Sequence, residues 1–185
     1  MSKIGIFFAE GFEEIEALSV VDLCRRAKLE IEMISVTGNL VVTGSHKIAI
    51  TMDQLIEDVD FDGMDMIVLP GGMPGTRNLE AHELLMEQVD RFYQSGKYIA
   101  AICAAPSIFG HKGILDGRKA CCFTGFEEHL TGATVTMDDV TVDGHVITSR
   151  GMGTAIPFGL KIVETFADKE TADKLGKGII YYKGV

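Results

Sequence analysis

The segment Tyr98-Ile-Ala-Ala-Ile-Cys-Ala-Ala-Pro106 decides how the rest of the chain is read. Its apolar start suits a strand buried on both faces of a parallel sheet. A cysteine, two alanines and a proline follow. Proline fits the first turn of a helix, where its missing N–H costs nothing, so the segment reads as strand, sharp turn and helix with Cys103 at the turn. A nucleophile on such an elbow needs small neighbours, because bulky ones would strike the sheet and the helix, and Ala101 and Ala105 meet that need. A thiol there lies at a helix N-terminus, whose partial positive charge and free N–H groups favour the thiolate and lower the pKa from its reference of about 8.5. The same pattern also describes an ordinary buried thiol ending a core strand, since free cysteine is among the most buried residue types. Local features leave both readings open.

Working outward, Lys3–Ala9 is another short apolar run, ended by Gly11. From Glu13 the period becomes helical, with Ile15, Leu18, Val21 and Leu23 near one stripe and the basic pair Arg25-Arg26 at the negative end of the helix dipole. Glu30–Val36 alternates as a strand, and Leu40–Val42 with Lys47–Thr51 reads as a hairpin-like pair around Gly44. Met64–Leu69 is a buried strand stopped by Pro70-Gly71-Gly72. Glu83–Ser95 follows as a helix, Lys97–Ile102 as the strand before the cysteine, and Ala104–Gly110 as the helix after it. Further on come a short strand near Lys119–Cys121, a strand pair formed by Thr134–Thr136 and Val140–Ser149 with Asp143-Gly144 at a turn, and a helix over Thr154–Phe166.

This alternation predicts an α/β fold. One domain over residues 1–185 holds a mostly parallel, flavodoxin-like sheet flanked by helices on both faces, with right-handed crossovers. The strand ends at Gly11, Gly71-Gly72 and Cys103 are expected along one edge, where open α/β sheets bind ligands. The Pro-Gly-Gly turn either aims its N–H groups into that crevice, making an oxyanion hole with the N–H of Ala104, or is a plain loop that uses glycine's access to positive φ.

Composition narrows the function classes. With 46% hydrophobic and 24% charged residues, the 185-residue chain can bury a sizeable core. A net charge of −10 opposes binding to nucleic acid, which draws its affinity from clustered Lys and Arg. Ile4–Phe8 is too short for a membrane span and runs into Glu10, Glu13, Glu14 and Glu16 rather than a cleavage site, so a cytoplasmic protein is expected. Cys24, Cys103, Cys121 and Cys122 lack zinc-ligand spacing, and reduced thiols with no bound metal are the expectation. As adjacent strand residues, Cys121 and Cys122 should point to opposite faces, one towards the core and the other towards the outer surface or a covering helix.

Five segments in order carry a resemblance: Ala9-Glu-Gly-Phe-Glu-Glu-Ile-Glu16, Val21-Asp-Leu-Cys-Arg-Arg-Ala27, Val68-Leu-Pro-Gly-Gly72, Ala100-Ala-Ile-Cys-Ala-Ala-Pro106 and Thr148-Ser-Arg-Gly-Met-Gly-Thr154. They make the chain similar to the ThiJ/PfpI family of the class I glutamine amidotransferase-like superfamily, and most of all to its parkinsonism-associated deglycase branch. The resemblance implies that Glu16 hydrogen-bonds Cys103, shares a proton with it and acts as general acid and base. It also implies that the N–H groups of Gly72 and Ala104 form the oxyanion hole. Gly71, Ser149, Arg150 and Arg26 match residues near the site or a dimer rim, and His46 replaces an arginine that animal relatives project towards the partner subunit's site. Glu13 and Glu14 are read instead as acids complementing the helix dipole.

By the same resemblance, the protein is expected to be a cofactor-free homodimer, with Glu13–Arg26 and Leu40–Ile50 near the two-fold axis. It would act on α-oxoaldehydes such as methylglyoxal or on glycated protein. The alternative is a redox sensor or chaperone whose Cys103 oxidises to a sulfinate. A cysteine hydrolase is disfavoured, because Ala104 and Phe123 stand where such relatives carry histidines. His82, His111, His129 and His145 fit no motif and read as surface or packing residues.

Overall fold

Residues 2–181 are described by a computed structural model of the chain. Strands β1 (Lys3–Phe8), β2 (Glu30–Ser35), β3 (Val41–Thr43), β4 (Ala49–Thr51), β5 (Gln54–Leu55), β6 (Met66–Leu69), β7 (Tyr98–Ile102), β8 (Lys119–Ala120), β9 (Thr134–Val135), β10 (Val140–Asp143) and β11 (Val146–Ser149) are interleaved with helices. The helices are α1 (Glu14–Arg26), α2 (Gly75–Glu80), α3 (Glu83–Ser95), α4 (Pro106–His111), α5 (Ala155–Phe166) and α6 (Lys169–Gly178). Seven strands form the main sheet in the order β10-β11-β7-β6-β1-β2-β5, parallel throughout except for the β10–β11 hairpin. The expected α/β architecture with a mostly parallel sheet is thus the one observed.

Alternation along the central strands divides the core in two. Ile4, Ile6, Phe8, Met66, Val68, Ala100 and Ile102 face the layer that holds α1 and α5. Phe7, Ile67, Leu69, Ile99 and Ala101 face the opposite layer, which includes α3 and α4. These strands are apolar on both sides because both sides are covered, and each large side chain so buried contributes roughly 1.5–3 kcal/mol. Close packing of α5 on α1 depends on Gly159, where a Cβ would lie 2.6 Å from Leu23 Cδ1.

Several expectations are corrected. The helix after Cys103 begins at Pro106, because Cys103, Ala104 and Ala105 form the turn itself. The strand segment at Thr134 pairs in parallel with β8 in a separate two-stranded sheet. Ile15, placed on the apolar stripe of α1, is 52% exposed, and the buried face is carried by Ala17, Val20, Val21, Leu23 and Cys24. Strand β8 ends at Ala120, so Cys121 and Cys122 lie beyond the alternating ladder and both are buried. Cys121 Sγ approaches the Thr148 carbonyl at 3.3 Å, and Cys122 joins the α3 and α4 side of the core. Among the described residues, no helix is long and apolar enough to cross a membrane.

Candidate active site

Because β7, β6 and β1 are neighbours in the sheet, their carboxyl ends bring Cys103, Gly71 and the loop before α1 side by side. Cys103 has φ of +66°, a left-handed conformation that costs a non-glycine residue about 1–2 kcal/mol. The backbone on both sides holds it there. Its N–H donates to the Ser149 carbonyl at 3.0 Å, and its own carbonyl accepts from the Phe123 N–H at 2.8 Å. A strained residue persists only where its surroundings over-determine it, and here the end of β11 and the loop that carries Phe123 do so. The strain lifts the thiol out of the strand into the crevice, half-buried.

Glu16 reaches the same point from the first turn of α1. Glu13 caps that helix, its carboxylate accepting the Glu16 N–H at 2.7 Å. The Glu16 side chain is 1% exposed. Its Oε2 accepts the Gly71 N–H at 3.0 Å, and its carboxyl faces the Cys103 thiol at hydrogen-bonding range. Space for this contact exists only because residue 71 is glycine: a Cβ there would lie 2.5 Å from both Cys103 Cβ and Glu16 Oε2. Gly151 lies beyond the other carboxyl oxygen, its Cβ position 3.8 Å from Glu16 Oε1 and 3.2 Å from the Phe123 ring.

The electrostatics of the pair are those of one shared proton. Burial, opposed by the hydrogen bonds from Cys103 and Gly71 and aided by the nearby Glu13 charge, raises the Glu16 carboxyl to about 7. Burial, then the charge of Glu16 and its hydrogen bond, push the Cys103 thiol up, while the N–H groups of Ala104 and Gly72 pull it down. The expected simple lowering of the thiol pKa is therefore corrected. A thiolate at this site arises when the proton passes to Glu16, so the pair titrates as a unit. The N–H groups of Gly72 and Ala104 converge on the sulfur, where negative charge would develop.

The remaining candidates fall in different places. Ser149 is fully buried; its carbonyl holds Cys103, but its hydroxyl donates to the Asp139 carbonyl at 2.7 Å. Arg150 reaches Thr124 Oγ1 at 3.1 Å and so braces the loop that carries Phe123. Arg26 lies ten residues along α1 from Glu16, about 15 Å by helical rise, exposed and paired with Asp22 at 2.6 Å. His46 is bound within its own chain, donating its backbone N–H to Glu14 Oε1 at 2.8 Å and placing Nδ1 2.9 Å from Glu14 Oε2. Glu14 is therefore more than a dipole complement. Burial raises its carboxyl, but the hydrogen bonds from His46 outweigh this and hold it below its ordinary range, while the same contact raises His46.

Glu13, Glu14 and His46 place ligand atoms within 4.8 Å of one another and are the group of three among the described residues suited to a cation. Their oxygens are already engaged, with the Glu16 N–H on one side and with His46 and Ser45 on the other. Sequence reading missed Gly151, whose backbone approach is invisible without the fold.

Residues 2–165 match the DJ-1/PfpI family. The chain is 36% identical over 179 residues to "Protein DJ-1 homolog B" of Arabidopsis thaliana, covering 96% of this chain and 41% of the plant protein. It thus spans less than half the length of that relative. It is 33% identical over 175 residues to "Glutathione-independent glyoxalase DJR-1.2" of Caenorhabditis elegans, covering 94% of this chain and 93% of the nematode protein. The solved structure "Toxoplasma gondii DJ-1, oxidized" superposes with a TM-score of 0.94 at 33% identity, covering 99% of this chain and 100% of that one.

Proposed function

The chain belongs to the DJ-1/PfpI family, and we propose that within it the protein is a cofactor-free, cysteine-dependent enzyme of the glyoxalase or deglycase type. Its substrates would be α-oxoaldehydes such as methylglyoxal, or their adducts on proteins. The observation that carries this reading is the buried Glu16 carboxyl, raised to about 7, facing a strained thiol beneath the N–H groups of Gly72 and Ala104. The nematode relative named as a glyoxalase supports it.

The thiolate of Cys103 would attack the aldehyde carbon, and the proton held by Glu16 would pass to the new oxygen, giving a hemithioacetal. Glu16, again a carboxylate, would take the proton from that carbon and return it to the neighbouring one through an enediol, leaving a 2-hydroxy thioester. Water would then displace the thiol to give the 2-hydroxy acid. In sum, methylglyoxal and water give lactate, the aldehyde carbon being oxidised as its neighbour is reduced. The Gly72 and Ala104 N–H groups would stabilise the oxyanion in the attack and the hydrolysis.

The test is lactate formation from methylglyoxal by the wild type and by Cys103→Ser. Turnover lost in the variant supports the assignment; turnover retained at near wild-type rate ends it. A second reading has its own support, since the donors around the sulfur suit an oxidised thiol as well and the Toxoplasma relative was solved as oxidised. In that case two equivalents of peroxide would convert Cys103 to a sulfinate, adding two oxygen atoms by intact mass. A protein that gains this mass and never turns over the aldehyde is a sensor.

A further inference from the structure

We propose that His111 and His129 form a binding site for a divalent transition-metal ion of the zinc, nickel or copper class, with Glu80 orienting the His111 ring from outside. This inference is independent of the reaction assigned to Cys103.

Three chain segments meet at the site. Glu80 is the last residue of α2, His111 the last of α4, and His129 the last of a 3-10 turn over Glu127–His129. Close approach of that turn to α4 rests on Gly110, where a Cβ would fall 1.9 Å from the His129 carbonyl oxygen. The two rings are 5.2 Å apart between centroids and nearly perpendicular, with His111 Nε2 facing His129 Nδ1 at 3.1 Å. Two imidazole nitrogens bound at about 2.0–2.1 Å to one ion are separated by about 2.9 Å at an octahedral angle and about 3.3 Å at a tetrahedral one. The observed spacing lies between these, so an ion can be admitted by tilting the two exposed rings to aim both lone pairs at it, without separating their nitrogens. The side chains of His111 and His129 are 40% and 42% exposed, which gives an ion and its completing waters a way in.

The outer nitrogens strengthen the argument. His111 Nδ1 lies 2.6 Å from Glu80 Oε1, which fixes its proton on that side and leaves Nε2 a bare lone pair. His129 Nε2 lies 3.9 Å from Glu128 Oε1, and the Phe126 ring packs beside it at 5.6 Å. Metal-binding histidines almost always donate their other N–H to a carboxylate or carbonyl, which fixes the tautomer and raises ligand basicity. Here His111 has such a carboxylate in Glu80, while the outer nitrogen of His129 faces the exposed Glu128 across 3.9 Å. Without metal, His129 Nδ1–H donates to His111 Nε2. On binding, His129 carries its proton on Nε2, towards Glu128, and the ion takes the place of the proton between the rings. Imidazole donors suit zinc, copper and nickel over calcium or magnesium. The site lies at the opposite end of α4 from the elbow, about 9 Å along its axis, so the thiol is not a ligand.

The test is titration of the full chain with Ni²⁺, read by paramagnetic broadening of the histidine ring C–H resonances and by calorimetry. Resonances of His111 and His129 should broaden first, at substoichiometric metal. His111→Ala and His129→Ala should each weaken Ni²⁺ affinity at least tenfold. Glu80→Gln should weaken it by the 10- to 100-fold typical of outer-sphere partners. His46→Ala should leave it unchanged. First broadening at His46, or affinity within twofold of wild type in both His111→Ala and His129→Ala, overturns the proposal. Circular dichroism of the variants confirms that they are folded, as expected for exposed side chains.

Discussion

Substituting Glu16 by glutamine should weaken catalysis and at the same time stabilise the fold in neutral and alkaline solution. In the unfolded chain a glutamate loses its proton near 4.5, whereas in the folded protein burial delays that loss to about 7. Between those values the folded state binds more protons than the unfolded one, so stability falls as pH rises through the window and levels off above it. A shift from 4.5 to about 7 corresponds to about 3 kcal/mol, an upper figure because a proton shared with Cys103 spreads part of the effect onto the thiol. Glutamine at position 16 can keep its carbonyl on the Gly71 N–H and has no charge to bury. Urea unfolding of both proteins at pH 5 and pH 8 is the assay. The wild type should lose up to about 3 kcal/mol relative to Glu16→Gln between these conditions. Over the same range kcat/KM of the wild type should rise through about pH 7 as the pair loses its first proton, and the variant should be slower by about 10²–10⁴-fold. A stability difference that does not change with pH would show that Glu16 is not a buried acid of raised pKa, and rates within a few-fold of wild type would remove it from the proton transfers.

Gly71→Ala should place a methyl between Cys103 and Glu16, costing about 1–3 kcal/mol by overpacking and about 10²-fold in rate through displacement of order 1 Å; unfolding and turnover assays that both match wild type would refute the crowding argument. Limiting iodoacetamide on the native protein should label Cys103 before Cys24, Cys121 and Cys122, because those three are buried whereas Cys103 is half-buried and can pass its proton to Glu16; peptide mapping that finds any of the three first would place the reactive thiol elsewhere. Ile15, Val41 and Ile48, each 52% exposed on α1 or the β3–β4 hairpin, should be covered in a homodimer; light scattering should give twice the chain mass for the wild type, and a monomer at micromolar concentration would contradict this.

Legibility from the sequence followed the range of the interactions. The elbow at Cys103 was readable because strand, turn and helix are consecutive and each demands its own residue type. The seven-stranded order could be anticipated only as a class, but the meeting of Cys103 with Gly71 followed from it, since β6 and β7 are both buried parallel strands and lie side by side. The direction of the Cys103 shift was not readable, because burial of the thiol and the Glu16 carboxyl oppose the N–H groups of Ala104 and Gly72, and only the fold fixes how deep and how close each lies. Helix α6 was missed for another reason: Lys169–Gly178 is mostly polar, with only Ala172 and Gly176 buried, although Asp168 caps it by accepting the Thr171 N–H at 2.7 Å.

The pairing of His111 with His129 was hidden by a sequence separation of 18 and by the lack of any ligand spacing. One local signal did point to it. Glycine within a helix costs about 1 kcal/mol against alanine, so Gly110 in the six-residue helix α4 is unfavourable unless something approaches that face too closely for a methyl group. The approaching group is the His129 carbonyl, and the next residue after the glycine is His111. A helical glycine beside a histidine thus marks where another backbone docks, and the docked backbone here brings the second histidine. It follows that Gly110→Ala should disrupt the metal site while leaving both of its ligands in the chain, separating the geometry of the pair from its composition. Loss of Ni²⁺ binding in a folded Gly110→Ala protein is the expected result, and retention of wild-type affinity would mean that the close approach does not position His129.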